Sequence, residues 1–158
     1  MLKYRLANVN DIPQLIDMRI AYLSEDYKNL TEHQIHTITS QLQDYFREHL
    51  NQDFFAFICE DNAVIVSTVF LVIVKKPANP CFLTGLTGTM LNVYTLPEYR
   101  KRGIASTLIK MAIEYAKRKK LSYIDLKATR DGYSLYLKQG FIPDKHKNVP
   151  MIYHISLD

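Results

Sequence analysis

The stretch NVYTLPEYRKRGIASTLI, residues 92–109, contains the pattern that decides the fold. An apolar, β-branched run ends at Thr95, Pro97 interrupts it, and a helical pattern begins directly after Gly103. The pattern therefore predicts a strand, a basic turn and a helix start in succession. Such a turn directs several backbone N–H groups, together with the positive end of the helix dipole, toward one point, an arrangement that favours binding of a pyrophosphate.

Two common nucleotide-binding motifs do not fit this turn. A Walker A loop requires G-x-x-x-x-G-K-[ST], and a dinucleotide fingerprint requires G-x-G-x-x-G. Gly103 is the only glycine between residues 92 and 109, which excludes both. The turn instead fits [RQ]-x-x-G-x-[GA], read as Arg100, Gly103 and Ala105.

With this pattern the sequence resembles the GNAT superfamily of N-acetyltransferases, whose acetyl-CoA pyrophosphate loop has this form. A second block supports the resemblance, because residues 135–141, LYLKQGF, are similar to the LY-x-K-x-GF signature of the same superfamily. The resemblance is close over residues 85–143. It implies an acyltransferase that uses acetyl-CoA as cosubstrate and requires no metal.

Length and composition bound the architecture. The chain has 158 residues with 47% hydrophobic and 23% charged residues, which predicts one globular domain over residues 1–158. No stretch approaches the roughly 20 apolar residues of a membrane span, and the N-terminus lacks the apolar core of a signal peptide. Cys59 and Cys81 have no C-x-x-C spacing. They are interpreted as two reduced, buried thiols in a cytoplasmic protein.

The order of elements predicts an α+β fold. Hydrophobic periodicity and turn residues give β-α-α-β-β-β-α-β-α-β-β. This order is that of a GNAT-like fold, with a central mixed, twisted sheet of six to seven strands flanked by about four helices. The predicted strands are residues 2–6, 54–59, 63–74, 82–95, 122–128, 141–142 and 151–157. Thr31 and Gln34 form a candidate capping box at the start of the second helix.

The resemblance implies how the cosubstrate binds. The pyrophosphate would be held by the basic turn and the helix start, and the pantetheine arm would pair with the main chain of the fourth strand. A bulge near residues 92–94 would present a backbone N–H to the thioester carbonyl. Thr129 stands where many relatives carry Asn, and its hydroxyl can still hydrogen-bond. The implied cofactor-binding residues are Val93, Thr95, Arg100, Lys101, Arg102, Gly103, Ile104, Ala105, Ser106 and Thr129.

Tyr136 is the implied catalytic residue. It matches the family tyrosine near the thioester sulfur, and a phenol with a pKa of about 10 can protonate a departing thiolate whose ordinary pKa is about 8.5. No carboxylate precedes Glu98 on the fourth strand, where many relatives place a base. The amine would therefore be deprotonated through an ordered water, or would arrive neutral. This departure leaves a non-catalytic acetyl-CoA-binding regulatory protein as the alternative.

The acceptor is expected to be a primary amine of a small molecule or peptide. Its pocket would be lined by residues 24–30, the start of the second helix, residues 75–80 and residues 143–150. Three acidic residues there could attract a cationic amine: Glu25, Asp26 and Glu32.

The net charge of +4 suits steering of an anionic ligand such as coenzyme A. Nucleic-acid binding is disfavoured because the basic residues form no long stripe. The resemblance implies a homodimer, an assembly that is common in the superfamily.

Overall fold

The computed structural model describes residues 1–145 and 147–156. Within these ranges the chain forms five strands and four α-helices, with short 3-10 turns at Val9–Asp11 and Pro97–Tyr99. The elements are β1 (Leu2–Leu6), α1 (Ile12–Asp26), α2 (Glu32–His49), β2 (Phe54–Asp61), β3 (Val64–Lys75), β4 (Leu86–Thr95), α3 (Ile104–Arg118), β5 (Ile124–Asp125) and α4 (Tyr133–Lys138). Contact density divides the chain into two compact units, residues 1–127 and the part from residue 128 onward.

The sheet of the first unit has the strand order β1-β2-β3-β4-β5. The pairs from β1 to β4 are antiparallel, whereas β4 and β5 are parallel. The predicted mixed sheet and about four helices are therefore present. The predicted strand number was too high, because five strands rather than six or seven occur in the described residues.

Helices cover both faces of this sheet. On one face, α1 and α2 pack on a cluster that includes the fully buried Leu15 and Phe46. On the other face, Phe55 of β2 lies 4.6 Å, ring centre to ring centre, from Tyr115 of α3, and Leu108 of α3 is fully buried. Each such large apolar side chain contributes roughly 1.5–3 kcal/mol on burial, so this packing holds the sheet between two helical layers.

The predicted capping box of α2 is confirmed. Thr31 Oγ1 accepts from the backbone N–H of Gln34 at 3.1 Å, and the Gln34 side chain accepts from the backbone N–H of Thr31 at 2.9 Å. Pro13 lies in the first turn of α1, where its missing N–H costs nothing. The local sequence signal therefore defines the start of α2 correctly.

The two predicted terminal strands were wrong for the residues that the structure describes. Residues 141–142 and 151–156 have no strand partner, and Leu157, the last residue of the predicted strand, lies outside the described residues. Ile142, Met151 and Tyr153 are each more than 80% exposed. Alternating apolar residues predict a strand only where a neighbouring strand completes the hydrogen-bond ladder, and sequence periodicity carries no information about that neighbour.

Two further boundaries and one burial state also differ from prediction. The strand predicted over residues 82–95 begins at Leu86, because Gly85 with φ of 71° closes a turn first. The strand predicted over residues 122–128 is limited to Ile124–Asp125. Cys59 is buried as predicted, but Cys81 is exposed in the turn after β3.

Among the described residues no helix is long and apolar enough to cross a membrane.

Candidate active site

A β-bulge interrupts the pairing of β4 with β3. Thr68 is paired with Tyr94. The next pair lies two residues further along β3 and three residues back along β4, and joins Phe70 to Leu91. Two residues of β4 therefore lie opposite one of β3, which defines a bulge at the position that the family resemblance implied. Asn92, one of the two, has a φ of 50°, a left-handed conformation that asparagine tolerates better than most residues.

Buried side chains hold the bulge in place. Thr68 Oγ1 donates to the Asn92 carbonyl oxygen at 2.9 Å and accepts from Asn92 Nδ2 at 3.1 Å. The same Nδ2 lies 3.4 Å from the carbonyl oxygen of Met18 in α1. Thr68 is fully buried and Asn92 is 3% exposed, so these bonds are shielded from water. The backbone of β4 is thus fixed by hydrogen bonds that an unbulged strand could not make.

β4 and β5 separate immediately after a short contact. Their parallel ladder consists of Gly88 with Ile124 and Thr89 with Asp125, and the described residues extend it no further. Thr89 Oγ1 donates to Asp125 Oδ1 at 2.7 Å at this point. The main chain of β4 beyond residue 89 therefore has an open edge on the β5 side, to which an extended ligand can add like a strand.

The turn between β4 and α3 presents backbone amides. Lys101 and Gly103 both have left-handed backbone conformations, with φ of 62° and 76°. Gly103 is the N-cap of α3 and supplies no side chain to its first N–H groups, which have no partner within the helix. A Cβ atom built on Gly103 would have no other atom within 4 Å, so the space in front of the amides is open. The geometry suits an anion at the positive end of the helix dipole.

Arg100 fixes this turn to the first helix. Its Nε donates to the Thr95 carbonyl oxygen at 2.8 Å, and its Nη2 lies 3.0 and 3.1 Å from the two carboxylate oxygens of Glu25. The Tyr94 hydroxyl donates to the same carboxylate at 2.9 Å. Burial, and after it the hydrogen bond to Glu25, raises the pKa of Tyr94 above its usual range. Glu25 was predicted to attract the amine, but its carboxylate is already shared by two donors.

The other two basic side chains of the turn, Arg102 and Lys101, differ in whether contacts within the protein hold them. Arg102 Nη2 donates to the Glu98 carbonyl oxygen at 2.9 Å, and its guanidinium lies 5.0 Å from the centre of the Tyr99 ring. Lys101 is exposed to solvent. Ile104 is 2% exposed, so a ligand at this helix start can reach its backbone but not its side chain.

One end of β4 and the start of α3 bring together nine of the predicted cofactor-binding residues. They are Val93, Thr95, Arg100, Lys101, Arg102, Gly103, Ile104, Ala105 and Ser106. No ligand is present, so their role in binding stays a prediction.

The second unit contains the remaining predicted site residues. Thr129 Oγ1 accepts from the backbone N–H of Gly132 at 3.1 Å, which closes the turn before α4. A Cβ atom on Gly132 would lie 3.1 Å from the Tyr136 ring and 3.2 Å from Thr129 Oγ1, so these three residues are close neighbours. The Tyr136 ring packs edge-to-face on Phe141 with centres 5.8 Å apart. The roles predicted for Thr129 and Tyr136 stay predictions.

A cavity of about 180 Å³ lies between α1, α2 and the strands β2 to β4. Sequence analysis did not identify it, because its walls come from segments up to 72 residues apart, from Arg19 to Leu91. Arg19 is the charged residue in its lining, and Arg19 Nη1 lies 3.4 Å from Asn92 Oδ1 of the bulge. Desolvation lowers the pKa of the Arg19 guanidinium from its ordinary value. No signal in the sequence around Arg19 distinguishes it from a solvated helix residue.

No group of three or more His, Cys, Asp or Glu residues suited to a metal ion occurs in residues 1–145 and 147–156. The expected independence of a metal nevertheless stays a prediction.

Asp125 is a second residue that sequence reasoning missed, because only the sheet places its carboxylate beside Thr89.

Comparison with known proteins agrees with this geometry. Residues 16–141 match the acetyltransferase (GNAT) family. The fold is similar to that of a Clostridium acetobutylicum acetyltransferase crystallised with acetyl-CoA, with 28% identity, a TM-score of 0.83 and 96% of each chain covered. It is also similar to a GCN5-related N-acetyltransferase from Ralstonia eutropha JMP134, with 23% identity, a TM-score of 0.75 and coverage of 96% and 99%.

A plant enzyme extends the structural comparison. Glucosamine-6-phosphate N-acetyltransferase from Arabidopsis thaliana has 15% identity, a TM-score of 0.70 and 99% coverage of each chain. The likeness at this identity concerns the fold alone. No curated protein sequence matches the chain.

Proposed function

Because the chain belongs to the acetyltransferase (GNAT) family, we propose that it transfers the acetyl group of acetyl-CoA directly to a primary amine. The observation that carries the proposal is the combination, on one strand, of a bulge, an open edge and an adjoining amide-rich turn. The acceptor is a small molecule or a peptide. The C. acetobutylicum structure with acetyl-CoA supports the choice of cosubstrate.

The donor is held mainly by the main chain. Its pyrophosphate binds the free amides at the start of α3, with Lys101 and Arg102 adding positive charge near the anion. Its pantetheine arm lies along the open edge of β4 and pairs with the backbone at Val93 and Thr95. Backbone recognition needs shape rather than particular side chains, which explains why Gly103 and Ala105 are the small residues of the turn.

The bulge supplies the electrostatic part of catalysis. One of its backbone N–H groups donates to the thioester carbonyl oxygen and stabilises the negative charge that develops there. The hydrogen bonds between Thr68 and Asn92 fix this backbone before the substrate arrives, so little reorganisation is needed during the reaction.

The chemical step requires two proton movements. The neutral amine attacks the carbonyl carbon, and the tetrahedral intermediate collapses as the carbon–sulfur bond breaks. The Tyr136 hydroxyl gives its proton to the departing thiolate, which leaves as the free thiol of coenzyme A. An ammonium acceptor first loses a proton to an ordered water, or the amine arrives neutral, because the β4 side chains include no carboxylate. Once the carbon–nitrogen bond has formed, the nitrogen loses a further proton through water to the Tyr136 phenolate, which restores the phenol.

The same lack of a carboxylate on β4 favours a second candidate, a regulatory protein that binds acetyl-CoA without turning it over. A calorimetric titration with acetyl-CoA, followed in the same sample by thiol release with a panel of amines, separates the two. Micromolar binding with amine-dependent thiol release supports the enzyme. Binding with release no faster than in buffer supports the regulator, and no binding would overturn both.

Cytoplasmic location, a homodimer and a lack of nucleic-acid binding stay predictions.

A further inference from the structure

We propose that the cavity beside the bulge binds a carboxylate of the acceptor on Arg19, so that the acceptor is a small, largely apolar amino acid. This inference rests on the proposed acetyl transfer and names the acceptor class of the same site. Its basis is the composition, charge and position of the cavity, each of which is separate from the features that hold the donor.

The lining of the cavity combines an apolar floor with a few polar groups. Its polar members are Arg19, Gln41 and Tyr45. The apolar members are Leu42, Phe46, Phe54, Phe70, Val72 and Leu91. The rings of Phe46, Phe54 and Phe70 pack on one another with centres 5.0 to 5.8 Å apart, so the floor is rigid. These three rings are only 1 to 2% exposed, so a small apolar side chain gains free energy mainly by covering Leu91, which is 38% exposed, and the half-buried Val72.

The residues that line the cavity carry one formal charge, the positive charge of Arg19. No carboxylate of residues 1–127 hydrogen-bonds or ion-pairs with Arg19, whose described contacts are Asn92 Oδ1 and the Tyr22 ring at 5.9 Å. Asp26, further along α1, acts on the guanidinium only through weak long-range attraction. A partly desolvated guanidinium with no acidic partner is stabilised by a carboxylate that binds in the plane of its N–H groups.

The charge also selects among anions. A carboxylate carries one negative charge and neutralises Arg19, whereas a phosphate monoester carries about −1.5 to −2 at neutral pH and would leave charge uncompensated among apolar walls. A free cationic amine without a carboxylate would be repelled by Arg19. The cavity therefore favours an acceptor with one carboxylate.

Position and size agree with this choice. Arg19 contacts Asn92, which belongs to the bulge where the acetyl carbonyl is proposed to bind, so an amine on the carbon skeleton of the bound carboxylate is directed toward β4. The volume of about 180 Å³ is roughly six times the 30 Å³ that one liquid water occupies. This space suits the carboxylate and side chain of a free amino acid.

The test compares amines that differ only in the carboxylate. Thiol release from acetyl-CoA is measured with leucine and leucinamide, phenylalanine and phenylalaninamide, and with phosphoethanolamine. We expect kcat/KM to be at least tenfold higher for each amino acid than for its amide. In Arg19→Met this preference disappears, with a loss of about 10- to 100-fold for the amino acids, as expected for a charge-assisted hydrogen bond. Arg19→Lys retains part of it.

Controls separate this inference from the underlying function. Arg47→Met, which removes an exposed arginine of α2, should change neither the preference nor the affinity for acetyl-CoA. Titration of N-acetylleucine into protein saturated with coenzyme A needs no turnover, and binding at least tenfold weaker in Arg19→Met is expected. Equal rates with acids and amides, a preference for phosphoethanolamine, or equal N-acetylleucine binding by both proteins would overturn the inference. Failure to bind acetyl-CoA would instead refute the proposed function.

Discussion

The donor turn, residues 96–106, and the cavity around Arg19 lie beside the same strand but are built from different parts of the chain. The turn is one continuous segment whose proposed binding groups are backbone amides, and the space beside Gly103 is open. The cavity is assembled from side chains of two helices and three strands. A backbone site depends on conformation and can be recognised from a short motif, whereas a side-chain site depends on which segments meet.

The largest effect is expected from filling the donor turn. Gly103→Phe should weaken acetyl-CoA binding by about 1,000-fold, because two or more charge-assisted hydrogen bonds of roughly 1.5–3 kcal/mol each would be blocked. Calorimetric titration measures the affinity. Gly103→Ala carries the same positive φ with one added methyl group, and its loss should stay below about tenfold. Gly85→Ala also has a positive φ, and its added methyl group would in addition lie 2.9 Å from the Lys76 carbonyl oxygen; because this strain is at another turn, the affinity should be unchanged. Unchanged affinity in Gly103→Phe would show that the turn does not hold the donor.

A second test concerns a side chain of the reaction itself. Tyr136→Phe should lower kcat by about 100-fold, the lower end of the range for general acid catalysis, while the Kd for acetyl-CoA changes less than about twofold. Steady-state thiol release gives kcat, and titration gives Kd. Tyr133→Phe on the same helix, where the side chain is 46% exposed, serves as the control and should retain activity. If both variants turn over at the wild-type rate, Tyr136 is not the acid.

The bulge lies next to both regions, and the third test removes the hydrogen bonds that stabilise it. Thr68→Val removes the hydroxyl that both donates to and accepts from Asn92, and should lower the free energy of unfolding by about 2 kcal/mol. Urea unfolding followed by circular dichroism measures this change. Thr37→Val on the exposed face of α2 should differ from wild type by less than about 0.5 kcal/mol. Equal stability of the two variants would contradict the role given to Thr68.

The smallest effect is expected where α1 is tied to the donor turn. Glu25→Gln weakens an exposed ion pair with Arg100, and should cost less than about 1 kcal/mol of stability. It should also lower the pKa of Tyr94, although not to the ordinary value, because burial is the larger cause of the upward shift. Ultraviolet difference titration measures that pKa when the titration curve of Tyr94→Phe is subtracted from that of the protein that retains Tyr94. Glu114→Gln, which disrupts a surface pair with Lys117, is the matched control.

The sign of the Tyr94 effect follows from linkage. Because the fold raises this pKa, the neutral phenol is the favoured form in the native state. Its contribution to stability is fully present below the ordinary pKa of about 10 and is lost as the pH rises through the higher native value. In Glu25→Gln the loss begins at the same ordinary pKa, but it should be smaller and complete at a lower pH than in the wild type. An unchanged tyrosine titration would show that Glu25 does not act on Tyr94.

Sequence reasoning succeeded where the signal was local. The capping box of Thr31 and Gln34 and the helix start after Gly103 are confirmed. The bulge near Asn92 is also confirmed, but the family resemblance implied it and no local signal did. It was wrong for the strands at residues 141–142 and 151–156, whose apolar side chains are exposed in the structure. It was also wrong for Cys81, because apolar flanking residues do not reveal whether another segment covers a turn.

The sequence by itself determined the strand–turn–helix unit at residues 92–109 and, through it, the family and the expected cosubstrate. It could do so because backbone conformation over a few residues follows from glycine, proline and hydrophobic spacing. Only the tertiary structure paired Glu25 with Arg100 and Tyr94, and set Arg19 beside Asn92 across 73 residues of chain. Such pairings depend on how helices pack on the sheet, which the spacing of residues along the sequence does not reveal.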